Sequence, residues 1–336
     1  MFKLAFALTA AAALAACSTG PYRTAVKTFA DGAVGATGAA DEEMSDTVIQ
    51  VRNDAVEYGR LRLVTHGFRV ASTDACADLI LPKIARAPAN ADLSEAELIA
   101  ACKVAPPGRP KLTVLPGFEN RLQDIELEET RKLASALSSY ADGLLAVTDS
   151  ESYGELRTAT GRLGTSLGKV SAVAGGSIGT AVSKVISPLV AIAGEVAIIG
   201  LENRRERLLR KTIPATHEAI VTLSAQLDQK IRKLRQVRLQ AALTVFSSAI
   251  DVWNRSRKDD AAAAQLSQAV VGYRSVARHL QRPLPFSKLA EAHEALVALS
   301  EEDLRREQLE ELFKRVGDFQ DAAKDLKSAL KELRGS

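Results

Sequence analysis

The chain has 336 residues, with 44 Lys and Arg against 41 Asp and Glu and a formal net charge of +3. A dedicated nucleic-acid binder carries a strong basic excess, so this near balance argues against one. Aromatic residues make up only 4%, and the abundant Ala, Leu, Glu, Lys, Arg and Gln are helix formers, which predicts an all-α fold.

At the N-terminus a single cation, Lys3, precedes an uncharged apolar run from Leu4 to Leu14 and then Leu14-Ala15-Ala16-Cys17. A run of about ten apolar residues behind a short positive segment reads as a secretion signal, too short for a bilayer that needs roughly 20. Small residues at Ala15 and Ala16 give a peptidase access to the backbone, and the cysteine offers a thiol for acylation. The pattern resembles the lipobox of bacterial lipoproteins. That resemblance implies that residues 1–16 are removed and that Cys17 carries the lipid as the first residue of a membrane-held mature chain. Several acyl chains anchor stably, since each buried methylene adds about 0.8 kcal/mol. Ser18, where aspartate would mark inner-membrane retention, implies outer-membrane residence on the periplasmic or surface face.

Residues 17–42, rich in Gly, Ala and Thr, read as a lipidated tether, followed by a first bundle helix over 43–66. On that helix Met44, Val48, Val51, Ala55, Tyr58 and Leu61 recur in steps of three and four. Residues 67–118 change character, with six prolines and a capping box at Ser94 to Glu97. They read as an irregular, Pro-rich insertion. In an oxidising compartment Cys76 and Cys102 are most simply a disulfide, worth roughly 3–4 kcal/mol by loop entropy. Two buried free thiols are the alternative. Residues 119–282 form the expected long-helix bundle. One helix carries Leu133, Leu137, Tyr140, Leu144 and Val147; a second, over about 214–256, carries Ile220, Leu223, Leu227, Ile231, Leu234, Val237 and Ala241. Residues 283–336 predict a C-terminal helical hairpin. Its last helix, from near Ser300, bears a heptad seam of Leu309, Leu312, Val316, Phe319, Ala323, Leu326, Leu330 and Leu333. The expected fold is an elongated antiparallel bundle of coiled-coil-like helices, with a parallel oligomer built on the last helix as the competing arrangement.

Residues 161–200 stand apart, because between Val170 and Gly194 the only charge is Lys184. Gly164, Gly168 and Gly176 fall at four-residue intervals or multiples of them, as do Gly175 and Gly179, a spacing that lets helix backbones approach closely. Arg204, Arg205, Arg207, Arg210 and Lys211 follow as a basic cluster suited to anionic lipid head groups. The expected roles are a buried helix or hairpin of the bundle, a membrane-active hairpin, or a transmembrane span. A long bundle with one central apolar Gly/Ala-rich hairpin is similar in layout to helical pore-forming toxins of the cytolysin A and hemolysin BL kind. That likeness implies a membrane-inserting alternative function.

Catalytic signals are weak. Gly164-Thr165-Ser166-Leu167-Gly168 matches a nucleophile elbow in letters, but that chemistry needs a strand before the serine. The histidines (His66, His217, His279 and His293) have no partner at helical metal-ligand spacing and read as surface or boundary residues. The run Lys230, Arg232, Lys233, Arg235 and Arg238 reads as a solvated helix face. The expectation is a non-enzymatic, lipid-anchored envelope scaffold or interaction module that needs no cofactor or metal and binds no nucleic acid. It would meet the membrane through its lipid, and an envelope protein or a second copy of itself through its helices.

Overall fold

The computed structural model describes residues 20–64, 68–71, 83–88, 113–114, 126–194, 200–256, 259–300 and 306–335. The fold is all-α in character, with eight described helices. They are α1 (Pro21–Val64), α2 (Leu127–Asp149), α3 (Tyr153–Ala174), α4 (Gly176–Gly194), α5 (Leu201–Arg255), α6 (Asp260–Leu280), α7 (Phe286–Ala298) and α8 (Arg306–Gly335). The insertion is not wholly irregular. It holds β1 (Phe68–Ala71), β2 (Lys83–Pro88) and β3 (Thr113–Val114) in an antiparallel sheet of order β1-β2-β3, with Phe68 opposite Pro88 and Lys83 opposite Val114. Its prolines mask this in the sequence, because such short strands sit between turn signals. Cys17, Cys76, Cys102, His66 and the capping box at 94–97 lie outside the described residues.

By its contacts the chain divides into two discontinuous units. Unit 1 comprises residues 1–41, 129–229 and 283–328, and unit 2 comprises residues 42–128, 230–282 and 329–336. These units do not follow the expected succession of segments. Four of their five limits fall inside helices, in α1, α2, α5 and α8, and only the one at 282/283 coincides with a proline, Pro283.

Two helices begin earlier than their sequences predict. The tether expected over 17–42 is helical from Pro21, in one 44-residue helix with the stripe expected over 43–66. Tyr22, Val26, Phe29, Ala33, Ala36 and Ala40 are buried at alternating steps of four and three, so the small residues form an interface rather than a flexible link. A Cβ on Gly32 would lie 2.9 Å from the Phe319 ring, which explains a glycine in mid-helix there. Helix α5 spans 55 residues and runs through Pro214, where the sequence suggested a start. A proline inside a helix costs about 3 kcal/mol. Burial of Leu208, Leu209 and Ile213 before it and Ile220 and Leu223 after it, on one continuing stripe, offsets that cost.

On α8 the expected seam is buried at Leu312, Val316, Phe319, Ala323, Leu326 and Leu330. Leu309 and Leu333 are half-buried. The unit 1 members include Phe319, which meets Phe29 at a ring-centroid distance of 5.8 Å. Most of the seam is thus occupied within the chain, leaving little of it for a parallel oligomer.

Candidate functional site

Unit 1 hides a chain of hydrogen-bonded polar groups. The Tyr140 hydroxyl lies 2.9 Å from Thr216 Oγ1 and 3.0 Å from His293 Nε2, and His293 Nδ1 lies 3.2 Å from His217 Nδ1. The geometry assigns the protons. Thr216 Oγ1 already donates to the carbonyls of Thr212 and Ile213, so Tyr140 donates to Thr216. Tyr140 therefore accepts from His293 Nε2–H. The remaining His293 nitrogen, Nδ1, is then an acceptor and receives the proton of His217 Nδ1. Burial, reinforced by the neighbouring His217, pushes His293 down to about 3, so it stays neutral. Burial also pushes the Tyr140 phenol up. His217 and His293 stack with ring planes 9° apart, and the Tyr22 hydroxyl donates to the Leu296 carbonyl. These groups fill one another's hydrogen-bonding capacity.

The basic cluster of α5 is mostly turned inward. Arg205, 5% exposed, donates to Ser150 and pairs with Glu202 at 2.7 Å. Arg210 donates to the carbonyls of Leu299 and Ser300 and to Glu206, and its guanidinium stands 4.9 Å from the Tyr22 ring centroid. Arg204 is buried over the Tyr153 ring. Only Arg207 and Lys211 of the five are exposed. Rather than forming a lipid-facing patch, three of these arginines tie the ends of α2, α3, α5 and α7 together, and a linear sequence cannot show where those ends meet.

The expected glycine series divides in the same way. Gly175 and Gly176, at φ +64° and +52°, make the turn from α3 to α4, a conformation that side chains with a Cβ resist. At Gly179 a Cβ would lie 2.4 Å from the Ser171 carbonyl oxygen, so this glycine permits the close approach. Ser171 donates to the Gly179 carbonyl and accepts from Ser183, both at 2.7 Å. Gly164 has ordinary contact with Ile186, and Gly168 faces open space. Among the residues of α4 whose burial is described, Gly179, Val182 and Leu189 are buried, and the helix packs back on α3 as a hairpin. Ser166 sits inside α3 and donates to the Arg162 carbonyl, without the strained turn of a nucleophile elbow.

Unit 2 buries charge. Glu43 on α1, Arg235 on α5 and His279 on α6 are 0%, 3% and 4% exposed. Arg235 donates Nε–H to Glu43 Oε1 at 2.5 Å, Nη2–H to Oε2 at 3.1 Å and Nη1–H to the Arg282 carbonyl at 2.7 Å. His279 donates from Nε2 to Glu43 Oε1 at 2.9 Å, while its Nδ1 has no partner. Burial by itself raises the Glu43 carboxyl. The hydrogen bonds from His279 and Arg235, with their charges, outweigh it and hold the group below the ordinary carboxylate range.

One turn along α5 from Arg235 stands Arg238, and it lines a cavity of about 450 Å³ together with Asp54 of α1. The apolar wall is Leu61, Ala242, Val245, Ala269 and Val276. Arg238 is 6% exposed and Asp54 9%. Arg238 Nε and Nη1 and Asp54 Oδ2 are buried without a hydrogen-bond partner, although Gln50 donates to Asp54 Oδ1 at 2.9 Å. Burial pushes the Asp54 carboxyl up to about 6, against the Gln50 hydrogen bond and the Arg238 charge. Burial also lowers Arg238, opposed by Glu43, Asp46 and Asp54.

Sequence reasoning missed both polar cores. It placed the histidines at the surface, yet His279 and His293 are buried and bonded to residues more than a hundred positions away in sequence. It also read Arg235 and Arg238 as a solvated face together with Arg232 and Lys233. The latter two are indeed exposed, but Arg238 takes the place on the buried stripe expected for Val237, which is only half-buried. The available signal was the interval of three or four from Leu234 to Arg238 to Ala241 and Ala242. Among the described residues no group of three His, Cys, Asp or Glu is arranged to hold a metal ion, and no helix is long and apolar enough to cross a membrane. No protein-family model, curated protein or solved structure matches the chain.

Proposed function

We propose that this chain is a lipid-anchored helical protein of the bacterial envelope, non-enzymatic, serving as a scaffold or interaction module at the outer membrane. Its long helices with heptad-spaced seams form the bundle, and the Cys76–Cys102 disulfide staples the insertion. The observation that carries this reading is the distance between the lipobox and the fold. Only residues 18–20 separate Cys17 from the start of α1 at Pro21. Even fully extended, that link reaches roughly 14 Å. An acylated Cys17 therefore holds the first turn of a buried, packed helix beside the head groups, with no free tether for reaching distant partners. Such a protein acts on what comes to the membrane surface next to it.

The test is fatty-acid labelling of cells expressing the wild type and Cys17→Ser, followed by fractionation and crosslinking. The expected result is label and membrane residence in the wild type, both lost in the variant, with crosslinks to an envelope protein or to a second copy. Unlabelled wild-type protein in the cytosol overturns the reading.

A membrane-active role for residues 161–200 is a second reading, favoured by the exposed residues of α4. Helix α4 combines a single charge, Lys184, with exposed Ala181 and Ala191. It requires purified protein to release dye from liposomes, and absence of leakage under all pH and redox conditions ends it.

A further inference from the structure

Two buried, oppositely charged side chains line one cavity in unit 2, and each keeps hydrogen-bonding atoms that are covered and without a partner. Asp54 and Arg238 feel each other's charge. They nevertheless form no ion pair, and Asp54 spends one oxygen on Gln50 instead. Orphaned polar atoms are uncommon in folded proteins, because each one left without a partner costs about 1–3 kcal/mol, and more when charged. Elsewhere in unit 2 the chain satisfies buried charge closely, as Glu43 and Arg235 show. Of the seven orphaned side-chain atoms among the described residues, three belong to Asp54 and Arg238, the two of these residues that line the cavity.

We propose that this cavity binds a small zwitterionic amphiphile, a molecule with one carboxylate and one ammonium on a short apolar body. Arg238 takes the carboxylate through its guanidinium and Asp54 takes the ammonium through its carboxylate, each side chain turning to present the atoms it otherwise buries. Ala242, Val245 and Val276 receive the apolar part. Glu57 and Arg60, also on the wall, pair with each other at 2.6 Å, so the charge pattern left by Asp54 and Arg238 selects this class over its neighbours. A simple anion leaves Asp54 buried and unpaired, a simple cation leaves Arg238 so, and an apolar molecule leaves both. Uncompensated buried charge is the most expensive of these errors. The volume of about 450 Å³ suits a small molecule, within the usual range of roughly 300–1,000 Å³ for ligand pockets. The assignment does not depend on lipidation, since every group involved belongs to unit 2.

The protein carries its own reporter. Trp253, the only tryptophan, packs on a cluster that includes Leu61 and Val245, two residues of the cavity wall. The experiment titrates the full chain in detergent with L-leucine, L-phenylalanine and 5-aminopentanoate while following Trp253 emission. N-acetyl-L-leucine and L-leucinamide, each lacking one charge, serve as controls. At least one zwitterion is expected to give a saturable change, with its singly charged counterparts weaker by about tenfold or more. Asp54→Asn is expected to abolish the preference for leucine over N-acetyl-leucine, and Arg238→Gln the preference over leucinamide. The wild-type comparison alone decides the matter if either variant fails to fold. No saturation with any zwitterion, or equal binding of the singly charged controls, overturns the proposal.

Discussion

Unit 1 and unit 2 each bury a polar cluster, and the two clusters solve the resulting problem in opposite ways. In unit 1 the Tyr140, Thr216 and His293 chain is neutral and closed, with His217 bonded to its end. In unit 2 the buried groups are ionised, and one pair of them is left open beside a cavity. A closed neutral network stabilises and defines a core. An open charged one is tolerated at a stability cost and fits a binding role. The contrast supports the binding role proposed for Asp54 and Arg238, while Arg204 of unit 1, also buried with Nε and Nη2 unpartnered, lies over the Tyr153 ring.

The comparison can be broken most forcefully at Glu43. Glu43→Ala leaves Arg235 and His279 buried without their carboxylate and is expected to cost about 3–5 kcal/mol in unit 2. Hydrogen exchange read peptide by peptide checks this, and unchanged protection in α6 would mean that the pair carries no weight. In unit 1, Tyr140→Phe removes the donor to Thr216 and the acceptor for His293. The expected loss is about 1–3 kcal/mol, measured by denaturant unfolding.

Acidity separates the units by sign. His293 has its native value near 3 against an ordinary 6.5, so the unfolded chain takes up the proton first. Its contribution is complete above pH 6.5 and falls by about 1.4 kcal/mol per pH unit on the way down. Asp54 is raised from 3.8 to about 6, so the folded state holds the proton more tightly. Its contribution is present below 3.8 and lost as pH rises through 6. Between pH 4.5 and 6, Tyr140-side amides of unit 1 should lose protection on acidification while those around Asp54 gain it, and Asp54→Asn should erase the second trend. Parallel trends in both units would refute the assignment of the two groups.

The smallest expected effect serves as a control outside both polar cores. Gly168→Ala enters open space on α3 and should stabilise by about 0.5–1 kcal/mol through helix propensity alone. A loss there, seen as a lower thermal midpoint, would mean that α3 has a packing partner at that position.

Much of the fold was legible wherever a single helix carries its own evidence. The stripe Leu312, Val316, Phe319, Ala323, Leu326 and Leu330 is readable from spacing because burial repeats with the helical period. Small residues misled that reading at the start of α1, where Ala33, Ala36 and Ala40 look like a linker but are buried. Pro214 misled it in the other direction, because one missing hydrogen bond reads as a boundary until the apolar positions on both sides are seen to share a face.

By itself, then, the sequence determined the helical character of the chain, the faces its helices bury and the lipobox pattern at its N-terminus, since all of these depend on neighbours within a few positions. Only the tertiary structure decided which charges go inside. Glu43 meets His279 across 236 positions, and Tyr140 meets His293 across 153. The energy of a buried polar group depends on the partner folding brings to it, and no local pattern encodes that partner.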